Sequence, residues 1–243
     1  MSKPNRISPL AVVEAELPRD ADIEIMEFAI VRKDARLGPG CKIHPNAFVA
    51  AGVTLGDNTE VFNGAVIGRE PKGAGATARK IEFSPQIRIG NNCSVGPHAV
   101  IYFDVIIGNN CLVGDAASIR EKCRIGSKCI ISRHVSLNYN CVIGDGVKVM
   151  DATHLTGNML VEDEVFISTH VATTNDNSMA RQGYDDSRTT GPTIRRGAVI
   201  GACALLLPST EIGRNATVGA GAVVTKNVPE GATVIGIPAR VRA

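Results

Sequence analysis

Aliphatic side chains recur every six residues over most of this chain. Ile25, Val31, Leu37, Ile43, Val49, Leu55, Val61 and Ile67 form one unbroken phase. A second starts at Ile89 and runs through Val95, Ile101, Ile107, Val113, Ile119, Ile125, Ile131, Leu137, Ile143, Val149, Leu155 and Val161 to Ile167. A third holds Ile194, Ile200, Leu206, Ile212, Val218 and Val224. With about a quarter to a third of residues aliphatic in an ordinary protein, the unbroken run from Ile89 to Ile167 does not arise by chance. A spacing of six fits neither a helix, with a period of about 3.6, nor a flat strand, with a period of about 2. It marks a solenoid in which each hexad supplies one short strand and one corner, so the expected fold class is an all-β parallel β-helix.

Glycine and asparagine following the periodic aliphatics, as in Leu37-Gly38, Leu55-Gly56, Ile89-Gly90-Asn91-Asn92 and Ile107-Gly108-Asn109-Asn110, are expected to supply the corner angles. Cys41, Cys93, Cys111, Cys123, Cys129 and Cys141 each fall four residues after a periodic aliphatic, and Cys93, Cys111 and Cys129 lie 18 apart. That places them inward on stacked coils, as reduced core thiols. Seven cysteines without a C-x-x-C pair or a matching histidine cluster argue against a disulfide framework and a structural zinc site.

The 243 residues are 44% hydrophobic with a net charge of +2, enough for a full core and without a basic stripe. Aromatic residues make up 4% with no Trp, which disfavours stacking platforms for nucleic acid. No segment has the plan of a signal peptide or the roughly 18 apolar residues of a membrane span, so a cytoplasmic protein with no membrane partner is expected. The chain reads as a single domain, 1–243, interrupted by two polar loops, about 68–86 and 173–193, and ending in a short tail, 229–243. Long loops on a rigid scaffold are where binding residues gather.

The hexad phases, the break after Ile67-Gly68, the late loop THVATTNDNSMAR and the ending IGACALLLPSTEIGRNATVGAGAVVTKNVPEGATVIGIPARVRA resemble the hexapeptide-repeat acyltransferases, above all the bacterial nucleotide-sugar N-acyltransferases. The resemblance implies a left-handed β-helix with a triangular coil of about 18 residues, three strands to a coil stacked at about 4.8 Å. It also implies a homotrimer with sites between subunits, an acetyl-CoA or other acyl-CoA co-substrate, no metal, and a nucleotide-linked amino sugar as acceptor. Carried over by motif, Gly201, Ala202 and Gly219 offer backbone groups to the pantetheine, and Lys226, Pro238, Ala239 and Arg240 sit near the nucleotide end of the coenzyme. Arg69, Lys72, Arg79 and Lys80 occupy the place of a substrate loop and are expected to hold the acceptor's diphosphate.

Amide formation requires a neutral amine, a fate for its proton and a donor for the oxyanion. Phase arithmetic stacks Phe103, Glu121, Tyr139 and Gly157, and beside them Asp104, Lys122, Asn140 and Asn158, so Asp104, Glu121, Tyr139 and Asn140 share one ridge bordered by His154. Asp104 and Glu121 are the expected anchors of the amine. In lipid A acyltransferases a motif like IAHDC carries the catalytic His; the matching stretch here is LNYNC, with Tyr139 in its place. Asn175 and Asp176 stand where O-acetyltransferases of this fold carry a TATH-like loop, here TTNDN. Both departures favour an amine over a hydroxyl acceptor. His134 and His154 remain general-base candidates.

His98, His134 and His170 share a phase 36 residues apart. The γ-class carbonic anhydrases, which share the fold, bind zinc through a similarly spaced pair and a third His five residues on. Tyr139 occupies that third position, which disfavours a zinc hydratase. The repeat is also compatible with a lipid A type UDP-sugar O-acyltransferase, which Tyr139 disfavours, and with a non-catalytic structural β-helix, which the two polar loops disfavour.

Overall fold

In the computed structural model, which describes residues 3–76, 78–185 and 187–242, each hexad becomes a strand of two to four residues followed by a corner. Strands pair in parallel with those 18 residues on: Ile101 with Ile119, Ile119 with Leu137, Leu137 with Leu155. The resulting sheets, of 13, 11 and 9 strands, are the three walls of a left-handed β-helix. Ile130–Ile131 belongs to the first wall, Ser136–Leu137 to the second and Val142–Ile143 to the third. Among the described residues no helix is long and apolar enough to cross a membrane.

The periodic aliphatics of all three phases point into one continuous column, none more than 4% exposed. Strands this short gain little by themselves; their stability comes from this column and from the ladder between coils.

The corners differ from expectation in one respect. In these four corners the glycine directly after the aliphatic has an ordinary φ, and left-handed φ falls two positions later: Gly40 (72°), Asn58 (54°), Asn92 (53°) and Asn110 (58°). The first glycine is instead required for room. A Cβ on Gly56 would lie 2.2 Å from Asn91 Oδ1 and 2.6 Å from the backbone of Gly90. His98, His134 and His170 occupy the left-handed position themselves, at 57°, 55° and 56°, on the corner between the first and second walls.

The two inserted loops leave from one edge. Val66 of the second wall pairs with Val100 rather than a residue 18 on, and Leu160 of the third pairs with Thr193. Both insertions fall at the corner between the second and third walls, five coils apart, about 24 Å at 4.8 Å per rise. Gly68, Thr173 and Thr193 belong to strands, so the irregular segments are 70–86 and 174–192. The expected tail continues the solenoid: Thr233–Ile235 pairs in parallel with the strand at Thr217–Val218, and Arg240–Val241 turns back antiparallel against it.

Candidate active site

Between the two insertions, the same corner presents the ridge that phase arithmetic assembles. Asn140 N donates to Glu121 O at 2.9 Å and Asn158 N to Tyr139 O at 3.1 Å, so these positions are stacked coil on coil. Their side chains serve chiefly to tie down the insertions. Asp104 accepts from Arg124 Nη2 at 2.6 Å and from the Ser84 amide at 3.2 Å, and its own amide donates to Gln86 O. Phe103 stacks on Phe83 with ring centroids 6.1 Å apart. These contacts hold the return of the first insertion.

Glu121 is fully buried and ion-paired with Arg79 of that insertion and with Arg120, whose Nε lies 3.1 Å from Oε2 and Nη2 3.2 Å from Oε1. Such a carboxylate is tolerated only because it is paired on both oxygens. The second insertion is tied likewise: Asn175 Nδ2 donates to Gly157 O at 3.1 Å and Asn158 Nδ2 to Thr189 O at 2.6 Å. Asp176 accepts from the hydroxyl and amide of Ser178 and from the Ala180 amide, and the Ser178 hydroxyl above all holds its carboxyl below the ordinary carboxylate range.

Residues of both insertions and of the ridge line one open cavity of about 460 Å³: Ala76, Ala78, Arg79, Arg120, Tyr139, Asn175, Asp176, Ala180, Gly183, Tyr184 and Thr189. A second, of about 310 Å³, is lined by Arg79, Lys80, Glu82, Lys122, Tyr139, Asn140 and Asn158. Arg79 and Tyr139 belong to both, with the guanidinium carbon 3.8 Å from the ring centroid.

Of the expected site residues, Arg79, Lys80, Tyr139, Asn140, Asn175 and Asp176 therefore meet here. Asp104 and Glu121 lie on the ridge but present no free carboxylate to either cavity, because arginines occupy them; the expected amine-anchoring role does not fit that placement. Arg69 lies over the Tyr102 ring at 5.0 Å, and Lys72 is exposed; neither lines a cavity. His134 is exposed on a different corner. His154, whose Nδ1 is 2.7 Å from Ser136 Oγ, stands on the outer face of the second wall, and burial lowers its pKa, favouring neutral imidazole. Neither histidine lines the two cavities of a single chain. Among the described residues no three metal-ligating side chains converge.

The hexapeptide pattern of bacterial transferases (six repeats) matches residues 34–69 and 191–226, and the hexapeptide repeat of succinyl-transferase matches 86–115 and 116–150. The chain belongs to the hexapeptide-repeat acyltransferases. Among curated relatives, the serine acetyltransferase of Buchnera aphidicola subsp. Acyrthosiphon pisum is 40% identical over 88 residues, 36% of this chain and 32% of that protein. The serine acetyltransferase of Escherichia coli K12 is 50% identical over 50 residues, 21% of this chain and 18% of the relative. The matches thus span at most about a third of these relatives' length.

Among solved structures, the UDP-N-acetylglucosamine acyltransferase from Campylobacter jejuni superposes with a TM-score of 0.57 at 16% identity, covering 90% of this chain and 74% of that one. The corresponding enzyme from Bacteroides fragilis 9343 gives 0.52 at 20% identity, with 97% and 73% covered. At these identities the likeness establishes the fold.

In this hexapeptide-repeat acyltransferase the residues expected to meet the coenzyme lie on the late coils. Gly201 N and Gly219 N donate within the solenoid, to Val218 O and Val234 O, so their amides are already engaged. Lys226, Pro238 and Arg240 are exposed, while Ala239 N donates to Val223 O. Lys122, Arg120, Asn158 and Tyr184 are cavity residues that sequence reasoning did not select. Lys122 and Asn158 were within reach, since the six-residue phase sets them on the ridge; Tyr184 lies in an aperiodic loop.

Proposed function

We propose that this chain is an acyl-CoA-dependent N-acyltransferase whose acceptor is a nucleotide-linked amino sugar. The observation that carries the reading is the pair of cavities meeting at Tyr139. The smaller gathers Arg79, Lys80 and Lys122 with one carboxylate, Glu82, which pairs with Lys80, and with Asn140 and Asn158; its cationic excess suits phosphate oxygens. The larger is walled partly by Ala76, Ala78, Ala180 and the Tyr184 ring, suited to an acyl thioester arriving from the late coils, where Lys226, Pro238, Ala239 and Arg240 would meet the coenzyme's nucleotide end.

In the proposed step the amine lone pair attacks the thioester carbonyl, the tetrahedral intermediate expels the coenzyme thiolate, and the proton released from nitrogen ends on that thiolate. No histidine base is needed if the amine arrives neutral, which agrees with a Tyr rather than a His at position 139. The serine acetyltransferase relatives favour acetyl as the donor group and make serine the second acceptor to test.

A homotrimer belongs to the same reading. Outward-facing Ile106, Leu112, Val142, Leu160, Phe166 and Val199 are 37–44% exposed on the third and first walls, flanking one corner, and packing against neighbouring copies would bury them.

The decisive experiment measures free-thiol release from acetyl-CoA with dTDP- and UDP-linked 3-amino and 4-amino sugars, and with serine. Release with an amino sugar supports the reading and names the acceptor. Release with serine alone replaces it with serine acetylation, and release with none refutes acetyl transfer to either class.

A further inference from the structure

Tyr139 is held from both sides. On one side the Arg79 guanidinium lies 3.8 Å from the ring centroid. On the other, the next coil carries Gly157, where a Cβ would lie 2.7–2.9 Å from Cζ, Cε2 and Cε1 of the ring, so only glycine lets the ring lie flat there. Arg79 is itself held, since its guanidinium is ion-paired with a carboxylate that has no solvent exposure, and its side chain is only 13% exposed. The Arg79–Glu121 pair joins an aperiodic insertion to the ridge across 42 residues of sequence.

We propose that Arg79 is a positioning residue for the transfer: anchored by Glu121, it fixes the Tyr139 ring as the shared wall of the two cavities, so that the donor and acceptor ligands meet at one place. This rests on the proposed transferase reading.

The charges make the idea testable without unfolding the chain. Removing Arg79 leaves the buried Glu121 carboxylate paired with the half-buried Arg120, whereas removing Glu121 leaves two guanidiniums without their shared carboxylate. Arg79 is therefore the residue to change. Arg79→Lys keeps the charge but loses the planar face, and Arg79→Met keeps apolar cover but loses the anchor. Gly157→Ala displaces the same ring from the opposite side.

The first measurement needs no acceptor. The chain has three tyrosines and no tryptophan, so in a Tyr102→Phe, Tyr184→Phe background acrylamide quenching of tyrosine emission reports on Tyr139 alone. All three variants should quench more readily than wild type while keeping a cooperative thermal transition. The second is steady-state transfer with the best acceptor from the panel. The kcat should fall roughly tenfold to a hundredfold, the scale expected when reacting groups are misplaced by about 1 Å, with KM for acetyl-CoA within about twofold of wild type. Unchanged quenching in both Arg79 variants would overturn the proposal, as would wild-type kcat or a loss confined to the coenzyme KM. If wild type transfers to no acceptor but quenching changes, the transferase reading has failed and the placement of Tyr139 by Arg79 stands.

Discussion

Six of the seven cysteines line the core, and their thiols are spent on carbonyl oxygens of the following coil: Cys41 on Gly56, Cys93 on Gly108, Cys111 on Gly126, Cys129 on Gly144, Cys123 on Asn138 and Cys141 on Thr156, all at 3.1–3.2 Å. Burial pushes the Cys41 thiol up from 9.0 to about 11. A thiol that resists ionisation in the fold contributes stability below its unfolded pKa and loses it as pH rises through the folded one. Thermal stability should therefore hold up to about pH 9 and fall between pH 9 and 11. Cys203 is exposed, so a thiol reagent at neutral pH should titrate one group in the native protein and seven after denaturation. Rapid reaction of more than one native thiol would show that the core opens.

At the scale of the strand and its corner, a glycine directly after an aliphatic, as at Gly56, and the left-handed residue two positions later do different jobs, and substitution should separate them. Gly56→Ala forces a Cβ into Asn91 and the Gly90 backbone and should cost about 1–3 kcal/mol. Ala116, with a φ of 53°, has the opposite problem, so Ala116→Gly should stabilise by up to about 1 kcal/mol. Chemical denaturation of the two variants checks both signs. The same distinction explains what could be read in advance. Periodicity fixes every residue that belongs to a hexad, so the core, the walls and the stacking of Glu121 on Tyr139 were legible. The insertions obey no period. Arg79 reaches Glu121, and Arg124 and Ser84 reach Asp104, through contacts no phase encodes, and two carboxylates correctly set on the ridge therefore looked free when they are paired.

At the scale of the molecule, both insertions emerge from one edge of a triangular prism and together line the larger cavity, while apolar side chains on the third and first walls stay open. A single chain thus presents both cavities beside an exposed apolar surface. If copies associate through that surface, sedimentation at micromolar concentration should give a trimer, and Leu160→Lys, which sets a cation at a position now 37% exposed and apolar, should shift the boundary toward monomer. Leu160 is an outward residue whose strand neighbour Val161 fills the core, so the variant should keep its thermal transition within a few degrees. A wild-type monomer would mean that the chain works alone, and the cavities at Tyr139 would then have to hold both ligands without a neighbour. A trimer that Leu160→Lys leaves intact would move the contact off the third wall, and on the second wall the outer row carrying Ser118, Ser136, His154 and Ala172 would come opposite a neighbouring copy. In that arrangement His154, neutral and bonded to Ser136, would lie at the subunit boundary, and its loss should then lower activity without altering the tyrosine signal from Tyr139.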